Sequence, residues 1–397
     1  METVKYHNND KSILLEYYRL ELLQNILIQI KSEYINFYNN TIDVHKNKKI
    51  NSFISLWIMN QYNNIETKEI IPDPIFPYNR NNNSQLEKNL SYTKIANNKE
   101  DASELIARWN LKEKMTLACV EVSKFMESTE YHIAKHNYKV ETYQDKNYEN
   151  QIYTRIKILS PDLKRFKYRK PVKFSIPSLI YNQLITRYGE YIPIMEDRVV
   201  MITILLLRYY ILDSDNQQLA IMPEFYSFLG NKYKITIELF ASGFNCFFPQ
   251  FASLYYDLEA HIGSIGYFNN FNINIENKDG YFLIANPPFD EEIMFSMADK
   301  FLNWLSQDVP ISILLTIPQW GEYATFETYN KFKYSGFIKY YSLIPKSLAK
   351  YYNYLKGKIV YPCNIYLILL QNFKGYEQYN NLANDIEFIK NKIYIKT

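Results

Sequence analysis

The sequence predicts an α/β protein, with a helical N-terminal region followed by a mainly parallel sheet whose strands alternate with helices. Three observations carry this. The first half places apolar residues at helical spacing. The second half holds short β-branched or aromatic runs separated by helical patterns. Glycine is scarce, 10 in 397 residues, absent before Gly189 and gathered at the ends of those runs.

In chain order, residues 12–30 carry Leu14, Tyr17, Tyr18, Leu22, Leu23, Ile26 and Ile30 on one helical face. Residues 69–102 contain prolines and the run NRNNNSQ, which reads as a long loop. Residues 103–126 return to helical periodicity, with Ser103 as the expected N-cap. The apolar run 199–207, bracketed by Arg198 and Arg208, is too short to span a bilayer and reads as a buried helix. Strands are expected at 234–240, 281–284, 311–317, 337–344 and 364–370, with helices at 245–256 and 291–305. This gives a helical domain over 1–193, a second domain over 194–373 and a C-terminal tail over 374–397. No internal repeat is present.

Composition narrows the function. Hydrophobic residues make up 47% and formal net charge is +3, so a sizeable core is expected and any basic surface must be local. Cys119, Cys246 and Cys363 lie far apart, with neither metal-site nor disulfide spacing. The start METVKYHNNDK lacks a signal-peptide pattern. An intracellular, membrane-free location is therefore expected, in the cytoplasm with the nucleus open.

The most informative stretch is LIANPPFDEEIM, residues 283–294. Two prolines remove two backbone donors and fix two φ angles, so the run ends in a rigid corner. Asp290 suits an N-cap, and Glu291 and Glu292 suit the first turn of the next helix. The corner Asn286, Pro287, Pro288 and Phe289 offers proline carbonyls, an amide side chain and a flat apolar face. Acceptors and a ring match the edge and face of an adenine amino group. Acceptors held out of the ring plane favour a pyramidal nitrogen, whose lone pair can then attack a methyl sulfonium.

NPPF is one form of the (Asn/Asp/Ser)-Pro-Pro-(Tyr/Phe/Trp) signature of amino methyltransferases. Taken in order, ELFASGFNCFFPQF (238–251), IGSIG (262–266), GYFLIANPPFDEEIM (280–294) and IPQW (317–320) resemble the animal cap-specific adenosine N6-methyltransferase family, also called the phosphorylated CTD-interacting factor family. The resemblance covers roughly 222–372. It implies a Rossmann-like core that uses S-adenosylmethionine to methylate the 2′-O-methyladenosine beside the 7-methylguanosine cap of messenger RNA. It gives Asn286, Pro287, Pro288 and Phe289 the catalytic role. It makes Phe240, Ala241, Ser242 and Asn245 a first cofactor loop, and Gly263 and Ser264 a second cofactor wall. Asp257 and Glu259 are both candidates for the cofactor ribose. Trp320 would stack on the cationic cap base, although Gln319 stands where the family usually has an acid.

The stretch PDLKRFKYRKPVKF interleaves Lys164, Arg165, Lys167 and Arg169 with aromatic rings, as an RNA-backbone contact would. No pair of tryptophans in an N-terminal segment forms a WW module, so polymerase tethering is not expected, and no metal site is. Methylation of DNA or of internal RNA sites, and a catalytically silent RNA-binding subunit, remain as alternatives.

Overall fold

The computed structural model describes residues 5–6, 10–39, 41–63, 70–77, 87, 90, 94–146, 151–165, 173–212, 218–319 and 324–395. The chain divides into two compact units, Met1–Asp215 and Asn216–Thr397.

The first unit is built on the helix Ile13–Tyr38, which is longer than its periodic stretch predicts. It packs against helices Val44–Asn63, Lys99–Trp109, Leu111–Glu127 and Met195–Ile211. The single helix expected over 103–126 is two. Asn98, rather than Ser103, caps the first, accepting from Asp101 N–H, and Asn110 in a left-handed conformation (φ 41°) separates it from the second. The short strands β1 (Lys5–Tyr6) and β2 (Ile70–Ile71) pair in parallel. This unit is not purely helical: β3 (Lys139–Lys146), β4 (Ile152–Leu159) and β5 (Lys173–Pro177) form an antiparallel sheet. The run 199–207 falls within the buried helix Met195–Ile211, which groups with this unit and not with the one that follows.

In the second unit, β6 (Leu219–Ile221), β11 (Tyr351–Asn353) and β12 (Lys358–Val360) make a small antiparallel sheet. The main sheet comprises β7 (Ile237–Leu239), β8 (Tyr281–Ala285), β9 (Ile311–Pro318), β10 (Ile338–Ile344) and β13 (Ile365–Gln371). Its order is β10-β13-β9-β8-β7. The strands β7, β8 and β9 run parallel, and β13 is antiparallel to both of its neighbours. Beyond β7, Phe251 bridges Glu238 in parallel and Ser264 bridges Phe251 in parallel, so two further chain passes extend the sheet. The result is a mixed α/β sheet.

The expected helix over 245–256 is absent. That segment is a turn followed by the Phe251 bridge, and helix resumes only at Tyr256–Glu259. Glu238 holds the chain there: the carboxylate accepts from Phe247 N–H (2.7 Å) and Phe248 N–H (3.3 Å), with Phe248 and Phe251 buried and Phe247 exposed. The helix Glu291–Leu305 forms as its pattern predicts, and Asp290 accepts from Glu292 and Ile293 N–H, both at 3.1 Å. Met294, Met297, Phe301 and Trp304 of this helix fill a core with Leu283, Ile313 and Leu315 of the sheet.

Residues 374–397, read as a tail, contribute helices Phe373–Gln378 and Leu382–Lys390. Asn372 anchors the first of these, accepting from Ile311 N–H (3.0 Å) and Gly375 N–H (2.8 Å).

Candidate functional site

Chain direction locates the site. From β7 the chain moves outward through Phe251 to Ser264, then returns across β7 to β8 and continues to β9 on the other side. The order therefore reverses between β7 and β8, and open α/β sheets bind ligands at the carboxyl ends of strands beside such a reversal. Leu239 pairs with Ala285, the last residues of the two strands. Phe240 and Asn286 thus open their loops level with each other.

The loop after β8 is the NPPF corner. Pro287 is buried, and Asn286, Pro288 and Phe289 are half-buried. Both ends of the Asn286 amide are held. Thr316 Oγ1 on β9 donates to Asn286 Oδ1 at 2.8 Å, and Asn286 Nδ2 donates to the Leu219 carbonyl at 2.8 Å. A carbonyl oxygen has two lone pairs, so Oδ1 can still accept a second hydrogen. The proline carbonyls differ from the sequence expectation that both are free. Pro288 accepts from Asp290 N–H at 2.8 Å, whereas no hydrogen bond among the described residues reaches the Pro287 carbonyl. The Phe289 ring meets Tyr351 edge-on, with centroids 6.2 Å apart.

The loop after β7 starts with strain. Phe240 sits at φ 60°, a left-handed conformation uncommon for a non-glycine residue, and its ring lies 4.3 Å from that of Phe268. Ala241, Ser242 and Asn245 are buried. Asn245 Oδ1 accepts from Ser242 N–H (2.7 Å), and Ser242 Oγ donates to Gln218 Oε1 (2.5 Å). These polar atoms hold the loop in shape. Glu259 does the same: its carboxylate accepts from Gly243 N–H (2.6 Å) and Tyr255 N–H (3.2 Å) and is fully buried. Asp257 is half-buried in the first turn of its helix.

Gly263 has a structural reason to be glycine. Its φ is 106°, and a Cβ there would stand 2.0 Å from the Pro249 carbonyl oxygen. Ser264 Oγ shares a hydrogen bond with Ser253 Oγ (2.7 Å) and accepts from Gly266 N–H (3.2 Å). The chain then reaches Tyr267, whose hydroxyl is pushed up by burial and by the nearby Asp290 carboxylate. Loops 240–245, 264–267 and 286–290 thus leave the same end of the sheet.

The remaining predicted residues are less defined. Trp320, Lys167 and Arg169 lie outside the described residues, and Lys164 and Arg165 lie in the short turn Asp162–Arg165 of the first unit. Gln319, where an acid was expected, accepts from Asn364 Nδ2 at 2.8 Å and so completes the end of the β9–β13 pairing.

Sequence reasoning missed Thr316, Gln218 and Leu219. One signal was present. All eight residues of β9 are buried, and a hydroxyl within such an apolar run needs a partner.

An α/β protein with a mixed sheet and an Asn-Pro-Pro-Phe corner at its chain reversal is the class this geometry defines. Residues 182–354 match the family model described as the phosphorylated CTD interacting factor 1 WW domain. The human mRNA (2′-O-methyladenosine-N(6)-)-methyltransferase is 37% identical over 91 residues, 23% of this chain and 12% of that protein. The mouse protein of the same name is 36% identical over 91 residues, with the same coverage. Residues 182–354 are thus similar to the phosphorylated CTD-interacting factor family, and the aligned 91 residues span 12% of the length of these curated relatives. Among the described residues no helix is long and apolar enough to cross a membrane.

Proposed function

We propose that the second unit is a Rossmann-like methyltransferase core that methylates the N6 amine of adenosine in RNA, with the cap-adjacent 2′-O-methyladenosine of 7-methylguanosine-capped mRNA as its substrate. The observation that carries this reading is the NPPF corner at the β7/β8 reversal, with the Asn286 amide held by two partners.

S-adenosylmethionine would supply an electrophilic methyl group on a sulfonium. The loop 240–245, Asp257 and the wall at Gly263 and Ser264 would hold it. The fit rests on position and on the strained Phe240, since the polar side chains of Ser242, Asn245 and Glu259 serve the loop itself. The second lone pair of Asn286 Oδ1 and the Pro287 carbonyl would accept the two N–H bonds of the adenine amine. This favours a pyramidal nitrogen and stabilises the positive charge that develops as its lone pair attacks. Phe289 would cover the base, and the excess proton leaves nitrogen after transfer. Trp320 would stack on the cap base, and Lys164, Arg165, Lys167 and Arg169 would follow the RNA backbone.

The test is methyl transfer from labelled S-adenosylmethionine to three substrates: capped RNA beginning with 2′-O-methyladenosine, the same RNA uncapped, and duplex DNA. Asn286→Ala and Trp320→Ala are run beside the unaltered chain, with nucleosides identified by mass spectrometry. Transfer to capped RNA alone, lost in Asn286→Ala and weakened in Trp320→Ala, is expected. Transfer to uncapped RNA or DNA would keep the chemistry and discard the cap. A chain that binds RNA yet neither binds S-adenosylmethionine nor transfers methyl would be a silent RNA-binding subunit.

A further inference from the structure

We infer that Gln218 and Leu219 form a strut that orients the Asn286 amide and ties it to the loop after β7, so that Gln218 is a positioning residue. The inference rests on the methyl-transfer reading and adds a coupling between its two ligands.

An asparagine side chain is nearly symmetric in shape but opposite in chemistry at its two ends. Only the oxygen can accept from an adenine amine. The two groups that touch Asn286 do not fix its orientation equally. The Thr316 hydroxyl can donate or accept, so it satisfies either end. The Leu219 carbonyl can only accept, so it admits only Nδ2. The 2.8 Å contact to Leu219 therefore decides which end is which, and Thr316 follows by donating to Oδ1. Turned the other way, Oδ1 would face the Leu219 oxygen, with two acceptors opposed.

The position of the Leu219 carbonyl is itself set from two sides. On one, Leu219 pairs with Asn353 of β11, and Tyr354 N–H donates to the Gln218 carbonyl at 3.2 Å. On the other, the Gln218 side chain, 2% exposed, takes the Ser242 hydroxyl at 2.5 Å. Ser242 is the hub of the first loop: its N–H donates to Asn245 Oδ1, and its hydroxyl accepts from Phe244 N–H at 3.2 Å. A shift of that loop is transmitted through one side chain and one peptide to the amide of Asn286. A ligand that orders the loop after β7 therefore favours the productive amide at the loop after β8, and linkage makes the effect reciprocal.

The experiment uses the full chain and measures its affinity for capped RNA with and without saturating S-adenosylhomocysteine, together with methyl-transfer kinetics. The unaltered chain is expected to bind RNA more tightly when S-adenosylhomocysteine is present. Gln218→Met keeps the length and loses the acceptor; it should erase that gain, lower kcat roughly two- to tenfold, the value of one neutral hydrogen bond, and by the same linkage raise KM for S-adenosylmethionine at saturating RNA. Ser242→Ala removes the same hydrogen bond from the other side and should also erase the gain, which covers the case of a Gln218→Met chain that fails to fold. No coupling in the unaltered chain, or coupling that survives in Gln218→Met, would each overturn the strut. A chain that methylates RNA but shows no coupling loses only this inference. A chain that neither binds S-adenosylhomocysteine nor transfers methyl loses the methyl-transfer reading, and the strut with it.

Discussion

The Gly243 N–H donates to the buried Glu259 carboxylate at 2.6 Å, and the other oxygen of that carboxylate takes the Tyr255 N–H. One acid thus closes the loop after β7 from behind. Two N–H donors face it, and a carboxylate can satisfy both. A glutamine cannot, because its NH2 would oppose one of them. Glu259→Gln should destabilise the chain by about 1–3 kcal/mol, the cost of a buried unsatisfied donor, and should weaken S-adenosylmethionine binding. Asp257→Asn, at a half-buried position, should cost less than Glu259→Gln. Thermal unfolding of both variants, with calorimetry for the ligand, checks the assignment; equal melting temperatures would assign the structural role elsewhere.

Gly263 and Gly336 share a positive φ but differ in surroundings. At Gly263 (φ 106°) an added Cβ meets the Pro249 carbonyl oxygen at 2.0 Å, whereas at Gly336 (φ 76°) it meets nothing within 4 Å. Gly336→Ala should therefore cost only backbone strain, about 1 kcal/mol. Gly263→Ala adds a backbone clash and should cost about 3 kcal/mol or more. Urea denaturation of the two variants separates strain from clash. Similar midpoints would mean that the Pro249 peptide gives way freely.

These contrasts show what was legible in the sequence. The strands β8, β9, β10 and β13 announced themselves because their β-branched and aromatic runs are bounded by turn residues, and the helix Glu291–Leu305 by its cap and its spacing. The segment 245–256 misled because its apolar residues fit helical spacing, while the Glu238 carboxylate bound two of its N–H groups and drew it across the sheet. The sheet β3–β5 was hidden by polar side chains on its outermost strand, β3. In the site, the NPPF corner was visible as a tetrapeptide. The partners of Asn286 were not, because Thr316 and Leu219 come from strands 30 and 67 residues away in sequence.

In the first unit, Glu16 accepts from Arg19 at 2.6 Å and from Arg208 at 2.9 Å, and Arg19 also reaches Asp73 at 2.9 Å. All four side chains are fully buried. Removing one member of such a group leaves uncompensated charge in a low dielectric. Glu16→Gln leaves two guanidinium groups facing one carboxylate and should cost about 3–5 kcal/mol. The exposed pair Arg108–Glu104 supplies the contrast. There Glu104→Gln should cost less than about 1 kcal/mol. Chemical denaturation of both variants reads the difference, and a Glu16→Gln chain as stable as Glu104→Gln would show that the buried charges relax or admit water.

Glu292 stands in the first turn of the helix after the NPPF corner. The turn's N–H groups and the helix dipole favour its ionised form, but burial and the adjacent Asp290 carboxylate outweigh them and raise its pKa from 4.5 to about 7. The sign follows from proton counts. Between about pH 4.5 and 7 the folded chain keeps a proton on Glu292 that the unfolded chain has released, so stability falls as pH rises across that window. Below it the two states are protonated alike, and above it the penalty is complete. Glu292→Gln has no charge to bury. The variant should gain on the unaltered chain as pH rises from 4.5 to 7 and hold that gain above 7. Melting temperatures of the two chains across pH 4 to 9 give the test; parallel curves would place the Glu292 carboxyl in water.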